Sequence, residues 1–440
     1  MRRVALVAFA AVTLSGCLEA EVIDLEDLRV LLWQPEALAV GSGDLFEDAL
    51  RVDLTLFVDG EKQDFSLADG QLKVARDGAA EGSDVRVVIE TVGETLPDAI
   101  ARTGTETLVP GGAARDVIAV LAPPSALHQL TVTVPEPRDD VAACKAPDGR
   151  VWIVGGTNGA ALASGSWLID PKARALVEGP GLPRARRSAD CAWDGADGLF
   201  LLGGCDASGV GSYALEHSAS GRAGSAFASV GDTADAAGCG ARLRRTPQGD
   251  LFLLYGDRAQ VLSADGTSAL TPPEALPAAR HHARVLALPG DDVDVLIAGG
   301  FSAPAGGTPV AGAVRATVSG SLLSVTPLTG LGGAVFDEGG APYALLNGAV
   351  VAIDESASPA SVDGVATLSG VAVSSFAALG EDHFAALAED GSEIHLLSKA
   401  GTLRVPVAPP RPGARLFADP GGALLVVGGG VAGVGVLTHE

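Results

Sequence analysis

Residues 149–156 read GRVWIVGG, a turn followed by four apolar residues and a glycine pair. The pattern returns as GLFLLGG at 198–204, GDLFLLYG at 249–256, VDVLIAGG at 293–300 and GALLVVGGG at 422–430. APYALLNG at 341–348 and HFAALAED at 383–390 are fainter copies. Measured between Gly155, Gly203, Tyr255, Gly299, Asn347, Leu387 and Gly428, the spacings are 48, 52, 44, 48, 40 and 41 residues, about 45 on average. Runs this short, bounded by glycine, fit buried strands. A repeat of roughly 40–50 residues with four strands in each unit is the signature of propeller blades.

The other strands of each unit align around this one. A first strand precedes it (residues 141–149, 282–290 and 414–422), a third follows it, and a fourth such as 402–410 completes the unit. The last unit ends after its third strand, and HQLTVTVPEP at 128–137 reads as the missing fourth. Borrowing it would close the ring and remove open sheet edges. The expected count is seven blades, with six or eight as the alternatives.

Residues 18–123 lack the repeat. Their alternating runs, at 28–34, 50–58, 71–76, 84–92, 98–104 and 115–122, predict a small Ig-like β-sandwich. Ala122-Pro123-Pro124-Ser125 reads as the linker. The expected fold class is all-β: an N-terminal β-sandwich over residues 17–123, then a propeller over 124–440 closed by strand 128–137.

The glycine-pair strand ends, and the proline and arginine before the first strands, are similar to the kelch-repeat family of β-propellers across about residues 125–440. Tyr255, Asn347 and Leu387 depart from that pattern in three units. At the other end, MRRVALVAFAAVTLSGC joins two arginines, an apolar run too short to span a bilayer and a small-residue Cys motif. Leu14-Ser15-Gly16-Cys17 resembles the lipobox of bacterial lipoproteins. The resemblance implies a signal peptide over residues 1–16 and acylation of Cys17. With Leu18 after the cysteine, it also implies an outer-membrane address. An ordinary signal peptide is the alternative.

Across 440 residues, 47% are hydrophobic and 19% charged, enough apolar content for large cores. The 30 Lys and Arg against 54 Asp and Glu give a net charge of −24, which argues against nucleic acid and anionic lipid surfaces as partners.

Four cysteines follow Cys17. Their repeat positions suggest bridges Cys205–Cys239 and Cys144–Cys191, with free thiols or a metal site as the alternatives. His281-His282, the only histidine cluster, sits at a first-strand start and reads as structural. No Walker loop, G-x-S-x-G or H-E-x-x-H is present, and only three tyrosines exist for copper-radical chemistry. The expectation is therefore no enzyme, no cofactor and no metal.

Arg138, Arg280 and Arg411 each stand nine residues before a proline that closes a first strand, and Arg184 and Arg186 bracket the equivalent point in the second unit. Two readings follow. The arginines hold backbone carbonyls and carboxylates between blades, or they form a basic funnel at one channel mouth that takes an anionic group. The expected function is non-catalytic binding of a protein or polysaccharide at the cell envelope by a lipid-anchored head. The alternatives are a structural subunit of an envelope assembly complex and an extracytoplasmic carbohydrate-active enzyme.

Overall fold

The computed structural model describes residues 22–24, 28–33, 49–67, 83–93, 97–103, 106–107 and 115–439, apart from 160, 172–174, 211–213, 231–237, 291, 305–306, 355 and 381. Cys17, the signal segment and the strand expected at 71–76 lie outside the described residues. Every element among the described residues is a strand. No helix among them is long and apolar enough to cross a membrane.

From residue 128 onward, seven four-stranded antiparallel sheets are found among the described residues. The first joins Ala142–Lys145, Val151–Val154, Ser166–Asp170 and Ala175–Glu178 in that order. The apolar runs that mark the repeat are the second strands, and their unbroken hydrophobicity has a physical reason. Successive side chains of a strand point to opposite faces, and here both faces are covered. Trp152 and Val154 join Cys191, Leu199 and Leu201 of the second sheet, whereas Val151 and Ile153 join Phe417, Leu425 and Val427 of the seventh. Phe200 and Leu202 pack on Leu251 and Leu253 of the third sheet. Further clusters join the third sheet to the fourth, the fourth to the fifth, the fifth to the sixth and the sixth to the seventh. Each buried Leu, Val, Ile or Phe contributes about 1.5–3 kcal/mol. A succession of small sheets that packs face to face and returns to its start is a β-propeller.

The seventh sheet runs Arg415–Ala418, Leu424–Val427, Gly433–Leu437 and then His128–Thr133, so its fourth strand comes from far earlier in the chain.

The glycine pairs meet two demands at once. Gly155 and Gly156 have φ of 62° and 93°, where a side chain is strained. A Cβ on Gly155 would stand 2.5 Å from the Arg186 carbonyl oxygen, and one on Gly156 would stand 2.6 Å from that of Asp139. The pair thus lets the approach to the next sheet lie directly against the turn. Asn347 replaces the first glycine of the fifth unit at φ 51°, a region asparagine tolerates.

Before the propeller, Glu61–Leu67, Ala49–Val58, Asp84–Gly93 and Ala99–Arg102 form an antiparallel sheet, and Glu106–Thr107 pairs with Asp84–Gly93. A second sheet joins Val22–Asp24, Leu28–Trp33 and Arg115–Val120, the last two in parallel. Strand Glu61–Leu67 was not among the expected ones, because EKQDFSL has no apolar alternation. It is held by full pairing to Ala49–Val58.

Candidate functional site

The repeat-equivalent arginines are brought to equivalent places, but not to an open funnel. Arg138, Arg186, Arg280 and Arg411 are 6%, 1%, 4% and 0% exposed. The Arg280 backbone N–H donates to Gly256 O of the preceding sheet at 2.8 Å, and Nη1 donates to Gly299 O and Gly312 O of its own sheet at 2.9 and 3.1 Å. Arg411 repeats the arrangement, with its N–H on Gly391 O at 2.9 Å and Nη1 on Gly433 O and Val426 O at 2.7 and 3.2 Å. Arg138 donates to Gly165 O at 2.8 Å and Gly155 O at 3.3 Å, and Arg186 to Gly203 O at 3.3 Å and to Glu216. These side chains rivet each sheet's own strands together, while their backbones hold the neighbouring sheet. Of the two readings, this placement fits the one in which the arginines hold backbone carbonyls, and the open anion funnel is not formed by them: each side chain is buried and a terminal nitrogen of each donates to carbonyls of its own sheet. Arg184 is exposed and shares neither arrangement.

The channel carries a different set of arginines. The first strands supply Asp190 from the second sheet, Arg242 and Arg244 from the third, Arg284 from the fourth and Arg415 from the seventh. Asp190, Arg242, Arg284 and Arg415 hold the same register, opposite Leu202, Leu254, Ala298 and Val427 of their second strands. Glu338, just after the fifth sheet's first strand, accepts from Arg284 at 3.2 Å through one oxygen and from Arg415 at 2.7 Å through the other. Arg244 donates to Asp190 at 2.7 Å. Burial opposes the Glu338 carboxylate, yet Arg415 and Arg284, with Arg244 and Arg242 beyond, bring its pKa below the ordinary value. Glu338 in turn raises the pKa of Arg415. The signal that could have found this set is ARLRRTPQG at 241–249, where charged residues alternate along a strand that the repeat places innermost.

Two cavities lie at opposite ends of these first strands. One, about 470 Å³, surrounds the strand starts and is lined by Arg187, Arg242, Arg284, Arg415, Asp140 and His282 among others. The second, about 500 Å³, surrounds the strand ends and includes Lys145, Trp193, Arg244, Arg245 and Glu338. Since Glu338 lines one cavity and its partners Arg284 and Arg415 line the other, the ion bridge forms the partition between them. Each cavity also has a disulfide in its wall. Cys205 and Cys239 are bonded beside the first, with Cα atoms 4.9 Å apart, and Cys144 and Cys191 beside the second, at 5.6 Å. Both pairings match those expected from the repeat.

Asp140, Ser188 and His282 share the first cavity without forming a relay. The Ser188 hydroxyl donates to Asp140, and His282 Nε2 meets Pro304 O at 3.0 Å, so no serine–histidine hydrogen bond is made. Burial first, and the nearby Arg242 second, push the His282 pKa down. His281 lies against Cys239 O at 3.2 Å. Among the described residues, no group of three His, Cys, Asp or Glu is arranged to hold a metal ion.

Around the second cavity, Lys145 donates to Ala418 O, and burial lowers its pKa against the pull of Asp337 and Asp419. Asp337 accepts from Ala378 N and Ala341 N at 2.7 and 2.8 Å, and Asp419 accepts from Ala423 N at 2.7 Å. Burial dominates at both carboxyls and raises them to about 6 and about 7.

No protein-family model matches the chain, and no curated protein matches it in sequence. Similar solved structures include YCF48 from Cyanidioschyzon merolae, at 12% identity and TM-score 0.44, covering 71% of this chain and 99% of that one. A catalytically inactive virginiamycin B lyase from Staphylococcus aureus with quinupristin has 12% identity and TM-score 0.47, with the same coverages of 71% and 99%. YCF48 bound to D1 peptide has 11% identity and TM-score 0.46, covering 72% and 96%. These are β-propeller proteins. At such values the likeness carries no argument about ligand or chemistry, and the fold here rests on the sheets themselves.

Proposed function

We propose that the chain is a lipid-anchored binding module of the cell envelope. In this reading Cys17 carries the anchor, the two N-terminal sheets form a β-sandwich stalk, and the seven four-stranded sheets are seven kelch-like blades. The head binds an envelope protein or polysaccharide without transforming it, and the site is the cavity at the first-strand starts. One observation carries this choice: that cavity is concave and lined by several arginines in a chain of net charge −24.

The test uses the full-length protein, with envelope polysaccharide and protein fractions passed over it. The expected result is retention of one component by the wild type and its loss from an Arg284→Gln, Arg415→Gln double variant, with the component recovered unchanged. Retention that ignores this double substitution, or recovery of a cleaved product, would overturn the reading.

A further inference from the structure

Arg242 differs from every other arginine of the channel. Arg284 and Arg415 share Glu338, and Arg244 holds Asp190. Arg242 is only 6% exposed, and its Nε donates to Ala283 O at 2.7 Å. Its terminal nitrogens have no hydrogen-bond or ion-pair partner among the described residues, and the side chain lines the 470 Å³ cavity. These nitrogens open on the cavity, where a ligand group can accept from them, and a hydrogen bond to a charged donor is stronger than one between neutral groups.

The surroundings add to the imbalance. Arg187, Arg284 and Arg415 line the same cavity, and the acid lining it is Asp140, which already accepts from Ser188. Burial, with Arg415, Arg244 and Arg284 acting in the same direction and Asp190 against them, lowers the Arg242 pKa to about 10. It therefore stays protonated at neutral pH, with positive neighbours and an unfilled pair of donors. A planar fork of two N–H donors is the geometry that matches an oxyanion.

The geometry points to an oxyanion seat in this cavity: Arg242 binds one carboxylate, phosphate or sulfate group of the ligand, and Arg284 and Arg415 flank it. This seat rests on the proposed binding role and names the chemistry of its ligand. The group fits the free donors of Arg242 without displacing Glu338. The negative exterior leaves the seat as a local exception, so a ligand with one well-placed anion is favoured over a long polyanion. The class also explains why the channel tolerates four arginines against two carboxylates, Asp190 and Glu338.

The experiment titrates the full-length protein with sodium sulfate, sodium phosphate and sodium acetate, each at constant ionic strength in chloride. Binding is read by calorimetry and by the NMR shift of the Arg242 Nε–H. The expected result is saturable one-site binding of at least one anion that shifts this resonance. Arg242→Gln is expected to weaken binding at least ten-fold and Arg242→Lys less, while the exposed Arg404→Gln leaves it unchanged. The three salts separate carboxylate, phosphate and sulfate as the preferred group. Saturable binding that leaves the Arg242 resonance in place, or no saturable binding of any anion, would overturn the seat. The wild-type resonance keeps the test valid even if Arg242→Gln fails to fold. If no anion binds while envelope capture still depends on Arg284 and Arg415, the seat alone has failed. If anions bind but no envelope component is retained, the binding role has failed instead.

Discussion

Arg280 and Arg284 lie four residues apart at the threshold of one strand, and their guanidinium groups do opposite work. Arg280 is closed within its own sheet, on Gly299 O and Gly312 O, while Arg284 reaches out of its sheet to Glu338 of the next. The same separation holds between Arg411 and Arg415. Four residues thus divide architecture from the site.

The rivet role gives a first expectation. Arg411→Met leaves Val426 O and Gly433 O without their donor in a place water does not reach. Stability is expected to fall by about 2–3 kcal/mol, read as a lower urea midpoint, with anion binding unchanged. An unaltered midpoint would remove the rivet argument.

The disulfides join neighbouring sheets beside the two cavities. Cys205→Ser with Cys239→Ser is expected to cost about 2–4 kcal/mol in thermal unfolding. Non-reducing peptide mapping of the wild type should recover Cys144–Cys191 and Cys205–Cys239. A Cys191–Cys205 peptide, or four free thiols, would contradict the pairing.

Glu338→Gln removes the charge between Arg284 and Arg415. Breaking one partner out of such a buried group costs about 3–5 kcal/mol. Because the Glu338 pKa lies below its ordinary 4.5, its contribution is full above that pH and is lost as pH falls through the lower folded value. The wild type and Glu338→Gln should therefore converge in stability in acid. A gap that stays constant down to pH 3 would argue against the bridge.

Asp419 gives the opposite sign. Its folded pKa of about 7 lies above the unfolded 3.8, so between these values the native state holds a proton that the unfolded chain has released. That contribution is full below pH 4 and declines as pH rises to 7. Asp419→Asn keeps an acceptor for Ala423 N and is expected to gain on the wild type by up to about 4 kcal/mol as pH rises from 4 to 7. Parallel pH profiles of the two proteins would refute it.

The anchor has its own check. Cys17→Ser is expected to release the protein from the membrane fraction in detergent-free buffer. A variant that still sediments with membranes would defeat the lipoprotein reading.

What was legible in the sequence follows from what each residue type constrains. The glycine pairs were readable because positive φ is a backbone demand, and Gly155 and Gly156 meet it together with a close approach. The cysteine pairs were readable because Cys144 and Cys191 hold matching places in adjacent first strands, while Cys205 after one glycine motif and Cys239 before the next first strand fall on the same face of neighbouring units. The arginine period was equally plain in Arg138, Arg280 and Arg411, but equivalence says only that their surroundings are alike. Whether those surroundings are water or carbonyl oxygen depends on how the Arg280 side chain meets Gly299 and Gly312, which no spacing records. The channel arginines were missed for the converse reason. Their register position holds Ala142 in the first sheet and Asp190 in the second, and arginine only in the third, fourth and seventh, so no one residue type marks it along the repeat.

The pairing of Gly433 with Thr133 joins positions 300 residues apart, and it sets a timetable for the growing chain. The closing strand is made before any of the sheets it helps to finish. At a synthesis rate of about 5–20 residues per second, it waits roughly 15–60 s with its backbone groups unmatched. In a chain that stops within that interval the early strand has no partner, and the face of the first sheet that packs on Phe417, Leu425 and Val427 is uncovered. Until Gly433–Leu437 is made, that strand's edge is open to any other strand that reaches it, so the order of the strands sets how long the chain is exposed to mispairing.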